Sequence, residues 1–189
     1  MLMEVARLGI TGARRTKIQA RKLLMSTMLV ASVSVHAATL SGTVVGVSDG
    51  DTITVLDANR EQHKIRVAGI DAPEKAQPFG QRSKRSLSTL VFGKDVDVQW
   101  SKRDRYRRIV GKVLVTDPTC QRQCPKTLDA GLAQVTAGLA WWYRKYAKEQ
   151  SAEDAQRYEL AEQEARSHRA GLWSDGQPIP PWDWRKAAR

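Results

Sequence analysis

The stretch TLSGTVVGVSDGDTITVLDANREQHKIRVAGIDAPE, residues 39–74, decides the fold. It reads as three strands over 39–47, 52–57 and 63–70, separated by the turn signals DGD at 49–51 and DANRE at 57–61. Turns this tight join antiparallel neighbours; they leave no room for the crossover that a parallel pair needs. In HKIRVAGI the two-residue period puts Ile65 and Val67 on one side and Lys64 and Arg66 on the other. The apolar pair therefore faces a core, and Arg66 points away from it.

Further along, residues 80–91 carry a helical pattern in which Leu87, Leu90 and Val91 share a face with Ser83. DVDVQW at 95–100 and RIVGKVLV at 108–115 read as two more strands. Asp129 can cap a helix over 130–138 with Leu132, Val135 and Leu139 at its apolar spacing. Ser151, with Asp154 three residues on, opens a further helix of about 19 residues that Gly171 can end. Tyr158, Ala161 and Ala165 mark its buried stripe, and the tail GLWSDGQPIPPWDW is expected to lie over the surface. Five strands with early hairpins, one inserted helix and later helices predict an α+β fold, a small closed barrel with helices beside it.

A chain of 189 residues has room for one domain. Its formal charge is +11, but residues 1–37 hold six Lys/Arg and one acid. A basic segment, the uncharged run LLMSTMLVASVSV and a closing VHA read as a secretory signal cleaved after Ala37, with a disordered leader or an uncleaved anchor as the other readings. The remainder, 38–189, keeps a charge of +6, which favours a polyanionic partner. Export would permit a disulfide between Cys120 and Cys124, with two free thiols the alternative. A zinc site lacks ligands, since His63 and His168 are the histidines left after residue 37.

Two acidic turns hold the candidate chemistry. VSDGDTITV places Asp49, Asp51 and Thr52 at one turn, and GIDAPE ends a strand in Asp71, followed by Ala72, Pro73 and Glu74. Hard cations take oxygen ligands, and carboxylates from two loops plus a backbone carbonyl supply them. A DGD turn standing alone is ordinary turn chemistry. Arg66 shares a strand with Asp71, and Arg108 follows the basic run KRDRYRR at 102–108, itself open to reading as a solvated hairpin turn. Guanidinium forks match phosphate oxygens.

Taken together these segments resemble the thermonuclease, or staphylococcal-nuclease-like, family. VSDGDTITV is similar to its DGDT motif, RVAGIDAPE to its Arg-x-x-x-x-Asp-x-Pro-Glu segment, and DRYRRIVGKV to its Asp-x-Tyr-Gly-Arg segment. GLAWWYRKYA and EARSHRAGLW resemble its later signatures, so the likeness runs over roughly 40–185. It implies a five-stranded OB-fold β-barrel with about three packed helices. It also implies Asp51, Asp71 and the Ala72 carbonyl as calcium ligands, with Asp49 and Thr52 in support. Arg66 and Arg108 would contact phosphate, Glu74 would be the general base, and Tyr106 would lie near the bound nucleotide. Two features depart from the family pattern: Arg107 stands where a Gly is usual, and the loop holding Cys120 and Cys124 is long.

The reading is an exported, secreted or periplasmic, calcium-dependent endonuclease. It would act on DNA and RNA with little sequence preference, leave 3′-phosphate ends, and work as a monomer without a membrane anchor after signal cleavage. The rival reading is a non-catalytic nucleic-acid-binding or protein-binding module on the same barrel.

Overall fold

The computed structural model describes residues 38–187; residues 1–37, which carry the leader reading, and 188–189 lie outside the described residues. Three antiparallel strands, β1 (Ala38–Val47), β2 (Thr52–Asp57) and β3 (Gln62–Val67), pair in sequence order. A two-residue strand β4 (Ile70–Asp71) and helix α1 (Gly80–Val91) follow. Strand β5 (Asp95–Arg103) returns to pair with β1, and β6 (Ile109–Thr116) pairs with β5. The sheet then closes: β6 runs parallel to β3, with Ile65 opposite Ile109 and Val67 opposite Gly111. This is the five-stranded barrel expected from the hairpin pattern.

Alternation fills its interior. Val44, Ile53, Val55, Ile65, Val67, Val96, Val98, Ile109, Val113 and Val115 are each at most 1% exposed. All are β-branched, which suits both the pleated backbone and a narrow barrel. Each such side chain contributes about 1.5–3 kcal/mol of burial free energy relative to exposure.

Three helices cover the barrel: α1, α2 (Ala130–Thr136) and α3 (Ala152–Ser167). The expected caps are in place. Asp129 Oδ1 accepts from the backbone N–H groups of Gly131 and Leu132, and Ser151 Oγ accepts from Asp154 N–H. Asp129 does more than cap. The Tyr158 hydroxyl lies 3.0 and 2.9 Å from its two oxygens, which joins α3 to the start of α2. Burial raises the Asp129 carboxyl above its ordinary range, against the hydrogen bond from Tyr158; burial and the Asp129 charge raise the Tyr158 phenol.

Several elements differ from the periodicity reading. The third helix has 16 residues rather than about 19, because Arg169 already turns left-handed at φ 52° before Gly171 is reached. Strand β7 (Lys126–Asp129) follows the cysteine loop and adds to the edge of β6. A two-residue strand β8 (Trp141–Trp142) pairs with β4. The tail does not simply lie over the surface, since its last part folds as helix α4 (Pro181–Ala187). Cys120 and Cys124 are bridged, with Cα atoms 5.9 Å apart. Among the described residues no helix is long and apolar enough to cross a membrane.

One buried side chain ties the helices to the acidic turn after β1. Gln134 on α2 is 1% exposed, and its Nε2 donates to the carbonyls of Gly50 (3.1 Å) and Ser83 (3.0 Å). Gln134→Leu leaves the Gly50 carbonyl without its donor, at about 1–3 kcal/mol, and cuts the tether to Ser83, whose carbonyl keeps its place in the α1 ladder. Urea unfolding should show a loss of about 1–3 kcal/mol, and no measurable loss would remove Gln134 from this role. Opening the Cys120–Cys124 bridge should cost about 2 kcal/mol or less, because it closes so short a loop.

Candidate active site

The turn between β1 and β2 is set by its own side chains. Asp49 Oδ1 accepts from Asp51 N–H at 3.1 Å, and Ser48 N–H donates to the Thr52 carbonyl at 2.8 Å. Gly50 has to be glycine because a Cβ there would collide with Ser83 Oγ and lie 2.7 Å from Ala72 Cβ. Packed so tightly, the turn projects Asp51 at the segment after β3. Asp51 Oδ2 accepts from Ala72 N–H at 2.8 Å, and Thr52 Oγ1 donates to Asp51 Oδ1 at 3.0 Å.

Asp71 is fixed from the other side. Its strand β4 pairs with β8, Asp71 opposite Trp141, and Tyr143 N–H donates to the Gly69 carbonyl at 2.8 Å. Gly69 takes φ 76°, a left-handed bend that lets the chain leave β3 and enter β4. Asp51 is 7% exposed and Asp71 is 1% exposed, so the two carboxylates need compensation. Arg66 supplies it: Nη1 lies 3.1 Å from Asp51 Oδ2 and Nη2 lies 3.0 Å from Asp71 Oδ1. Burial still raises the Asp71 carboxyl above its usual range; the hydrogen bonds of Arg185 and the charge of Arg66 oppose the shift, and the Asp51 charge adds to it. Burial, then the Asp51 charge, also raises Asp49.

Arg108 approaches from the β5–β6 hairpin. Asp104 organises that turn, with Oδ1 accepting from the N–H groups of Tyr106 and Arg108 and Oδ2 from Arg108 Nε at 2.8 Å. Burial raises the Asp104 carboxyl, but the Arg108 hydrogen bonds outweigh it and the net shift is downward. Arg108 Nη1 reaches Thr52 Oγ1 at 3.4 Å, so a chain of polar contacts runs from the hairpin to Asp51. Arg107 has φ 65°, the left-handed conformation that the usual Gly of the family motif would adopt freely. The turn is therefore kept, at roughly 1 kcal/mol of backbone strain. Tyr106 is 64% exposed, with the Arg108 guanidinium 5.5 Å from its ring centre.

These residues line one cleft of about 740 Å³, together with Glu74, Tyr143 and Tyr146. Sequence reasoning left the aromatics of WWYRKY unplaced; the structure brings Tyr143 and Tyr146 to the wall, rings edge to face at 5.0 Å. It also missed Arg185. From α4 this side chain enters the same cleft, with Nη2 2.7 Å from Asp71 Oδ2 and Nη1 2.8 Å from Glu74 Oε1. No motif flags an arginine in the last turn of a short terminal helix.

The donor set fits a hard divalent cation. Asp51 and Asp71 offer oxygen only and both reach the Arg66 fork, so two anionic oxygen ligands stand at one place. The group Asp57, Glu61 and His63 is a different matter. Asp57 Oδ1 already accepts from the N–H groups of Asn59 and Glu61, and Oδ2 pairs with His63, so that cluster holds the β2–β3 turn.

The sequence profile of the staphylococcal nuclease homologue family matches residues 64–175, a span holding Arg66, Asp71, Glu74 and Arg108 but neither Asp51 nor Arg185. An uncharacterized endonuclease of Escherichia coli is 39% identical over 165 residues, covering 87% of this chain and 97% of that protein. A micrococcal nuclease of Shigella flexneri is 41% identical over 169 residues, covering 89% and 93%. A probable staphylococcal-like nuclease of Oryza sativa subsp. japonica is 37% identical over 131 residues, 68% of this chain and 34% of its own.

Arg66→Met leaves Asp51 and Asp71 without their shared partner. In chelator it should lose about 3–5 kcal/mol of stability to urea, as expected when one member of a buried ion pair is removed. Arg108→Met, whose pair with Asp104 is partly solvated, should lose about 1 kcal/mol or less. Equal losses in the two variants would contradict the bridging role of Arg66.

Proposed function

Because the chain belongs to the staphylococcal nuclease homologue family, and is thereby a nuclease, we propose that it is an exported, calcium-dependent endonuclease that hydrolyses DNA and RNA phosphodiesters with little regard to sequence and leaves 3′-phosphate ends. The observation that carries the site assignment is the convergence of Asp51 and Asp71 on the Arg66 fork, with Glu74 and Arg108 on the same cleft. Asp51, Asp71 and the Ala72 carbonyl would hold calcium, which when bound polarises a phosphoryl oxygen.

The chain's own side chains do the rest. Glu74, 39% exposed at its side chain, stands at the cleft where water reaches it, and its carboxylate takes a proton from the attacking water. Arg66 from β3 and Arg108 from the β5–β6 hairpin place N–H donors around one phosphate, where they offset charge that grows in the transition state. Tyr106 and Tyr146, the exposed tyrosines of the cleft, offer flat faces to nucleotide bases, and a base of any identity has such a face. Lys102 and Arg103 at the end of β5, with Arg105 and Arg107 in the turn that follows, meet the neighbouring phosphates. Each of these contacts reads backbone or ring face and none reads a base edge, so the substrate class is nucleic acid rather than a defined sequence. The leader reading of 1–37 and the Cys120–Cys124 bridge both suit a periplasmic or secreted protein.

Glu74→Gln should retain the fold and nucleotide affinity while kcat falls by about 10²–10⁴-fold. Arg108→Lys keeps the charge but loses the fork and should also depress kcat, whereas Arg107→Gly should mainly weaken binding and flatten its salt dependence. Steady-state kinetics on single- and double-stranded DNA, with calcium and with chelator, separate these outcomes. A folded Glu74→Gln protein with near-normal kcat would show that Glu74 is not the base.

A further inference from the structure

Arg185 sits where the proposed calcium site and the proposed base both need free oxygen. Its Nη2 lies 2.7 Å from Asp71 Oδ2, its Nη1 lies 3.3 Å from Asp71 Oδ1, and the same Nη1 lies 2.8 Å from Glu74 Oε1. With Arg66 on Oδ1 as well, both Asp71 oxygens receive guanidinium protons. A fixed guanidinium and a divalent cation on one carboxylate repel strongly in a partly buried site.

Of the two arginines on Asp71, Arg185 is the one that can leave. Arg66 is 14% exposed at its side chain and belongs to barrel strand β3. Arg185 is 42% exposed at its side chain and belongs to the seven-residue α4, of which Pro181 is the buried member. What seats α4 is a small set of contacts before Arg185. Trp182 stacks on Tyr143 at 5.5 Å, with ring planes 7° apart, and meets Trp141 edge to face. Gln77 Nε2 donates to the Ile179 carbonyl at 2.6 Å. Arg185 also lies beyond the span that the family profile matches, 64–175.

We propose that Arg185 is a built-in competitor for the cation site: it neutralises Asp71 and ties Glu74, and calcium enters by displacing it and loosening α4. This rests on the assignment of Asp51 and Asp71 to calcium made above. The exchange has two consequences. The apparent calcium affinity is reduced by the fraction of molecules in which Arg185 occupies the site, which suits a calcium-rich compartment. Glu74 becomes available as a base together with the metal, so the centre assembles in one step.

The test is isothermal titration of calcium into the metal-stripped chain, as wild type, Arg185→Gln, Arg185→Lys and Trp182→Ala, each checked for fold by circular dichroism. Removing the competitor should lower the calcium Kd by about ten-fold, within the usual range of coupled binding. Arg185→Lys, which keeps a charge without the fork, should fall between wild type and Arg185→Gln. Trp182→Ala should tighten calcium binding in the same direction, because it unseats α4 while leaving Arg185 in the chain. By reciprocity, calcium should raise hydrogen exchange in residues 177–187 of the wild type and leave it unchanged in Arg185→Gln. A residue that merely supported the fold would weaken calcium binding when replaced. A folded Arg185→Gln protein that binds calcium with the wild-type Kd, or more weakly, overturns the competitor and leaves the metal site standing. Absence of calcium binding in every chain overturns the metal assignment and the competitor with it.

Discussion

The ion pairs from Arg66 to Asp51 and Asp71 hold the centre of this molecule together. Two carboxylates, 7% and 1% exposed, lie within reach of one guanidinium. Unpaired, they would repel each other and forfeit their hydration, a cost of several kcal/mol per ion even after relaxation. Arg66 can answer both because the barrel closes where it does. The parallel pairing of β3 with β6 sets Arg66 beside Val110 and brings the hairpin end that carries Arg108 to the same rim. The seam that completes the hydrophobic interior therefore also assembles the polar cleft.

The helices share in this. Gln134 on α2 donates to Gly50 at the acidic turn and to Ser83 on α1, and Tyr158 on α3 donates to Asp129 at the start of α2. A single polar path thus links all three helices to the turn that carries Asp51. An apolar cover would bury as much area, but it would not fix the angle of a four-residue turn. Directional hydrogen bonds do, and within a low-dielectric interior each one left unmade is costly.

Charge in the cleft is balanced within the fold. Asp51 and Asp71 share Arg66, Asp104 holds Arg108, and Asp71 and Glu74 share Arg185. Such mutual neutralisation keeps a strongly charged pocket stable without a ligand, and it means that a cation or a phosphate must exchange with an internal partner on entry. The energetic demand on a ligand is then the difference between two good pairings rather than the full desolvation of a bare ion.

The sequence by itself determined the barrel and the two helix caps, and it named candidates that the fold collects in one cleft. Hairpin turns and two-residue alternation are local properties, and Asp129 and Ser151 act on backbone N–H groups two or three residues away. Asp51, Asp71, Glu74, Arg66 and Arg108 were legible as candidates because their short motifs resemble a known family's pattern and lie at or beside turns. Tertiary structure alone decided what joins them. Strand β8 is two residues long and gains its stability only by pairing with β4, so no window of periodicity contains it. Gln134 is polar on an otherwise apolar face, and its meaning lies 84 residues away at Gly50. The end of α3 followed the left-handed Arg169 rather than Gly171, because local propensity is weak beside packing. Arg185 is separated from Asp71 by 114 positions in a Trp- and Pro-rich tail that reads as surface. Its place in the cleft depends on Trp182 finding Tyr143, a contact between distant aromatic faces that leaves no periodic trace in the chain.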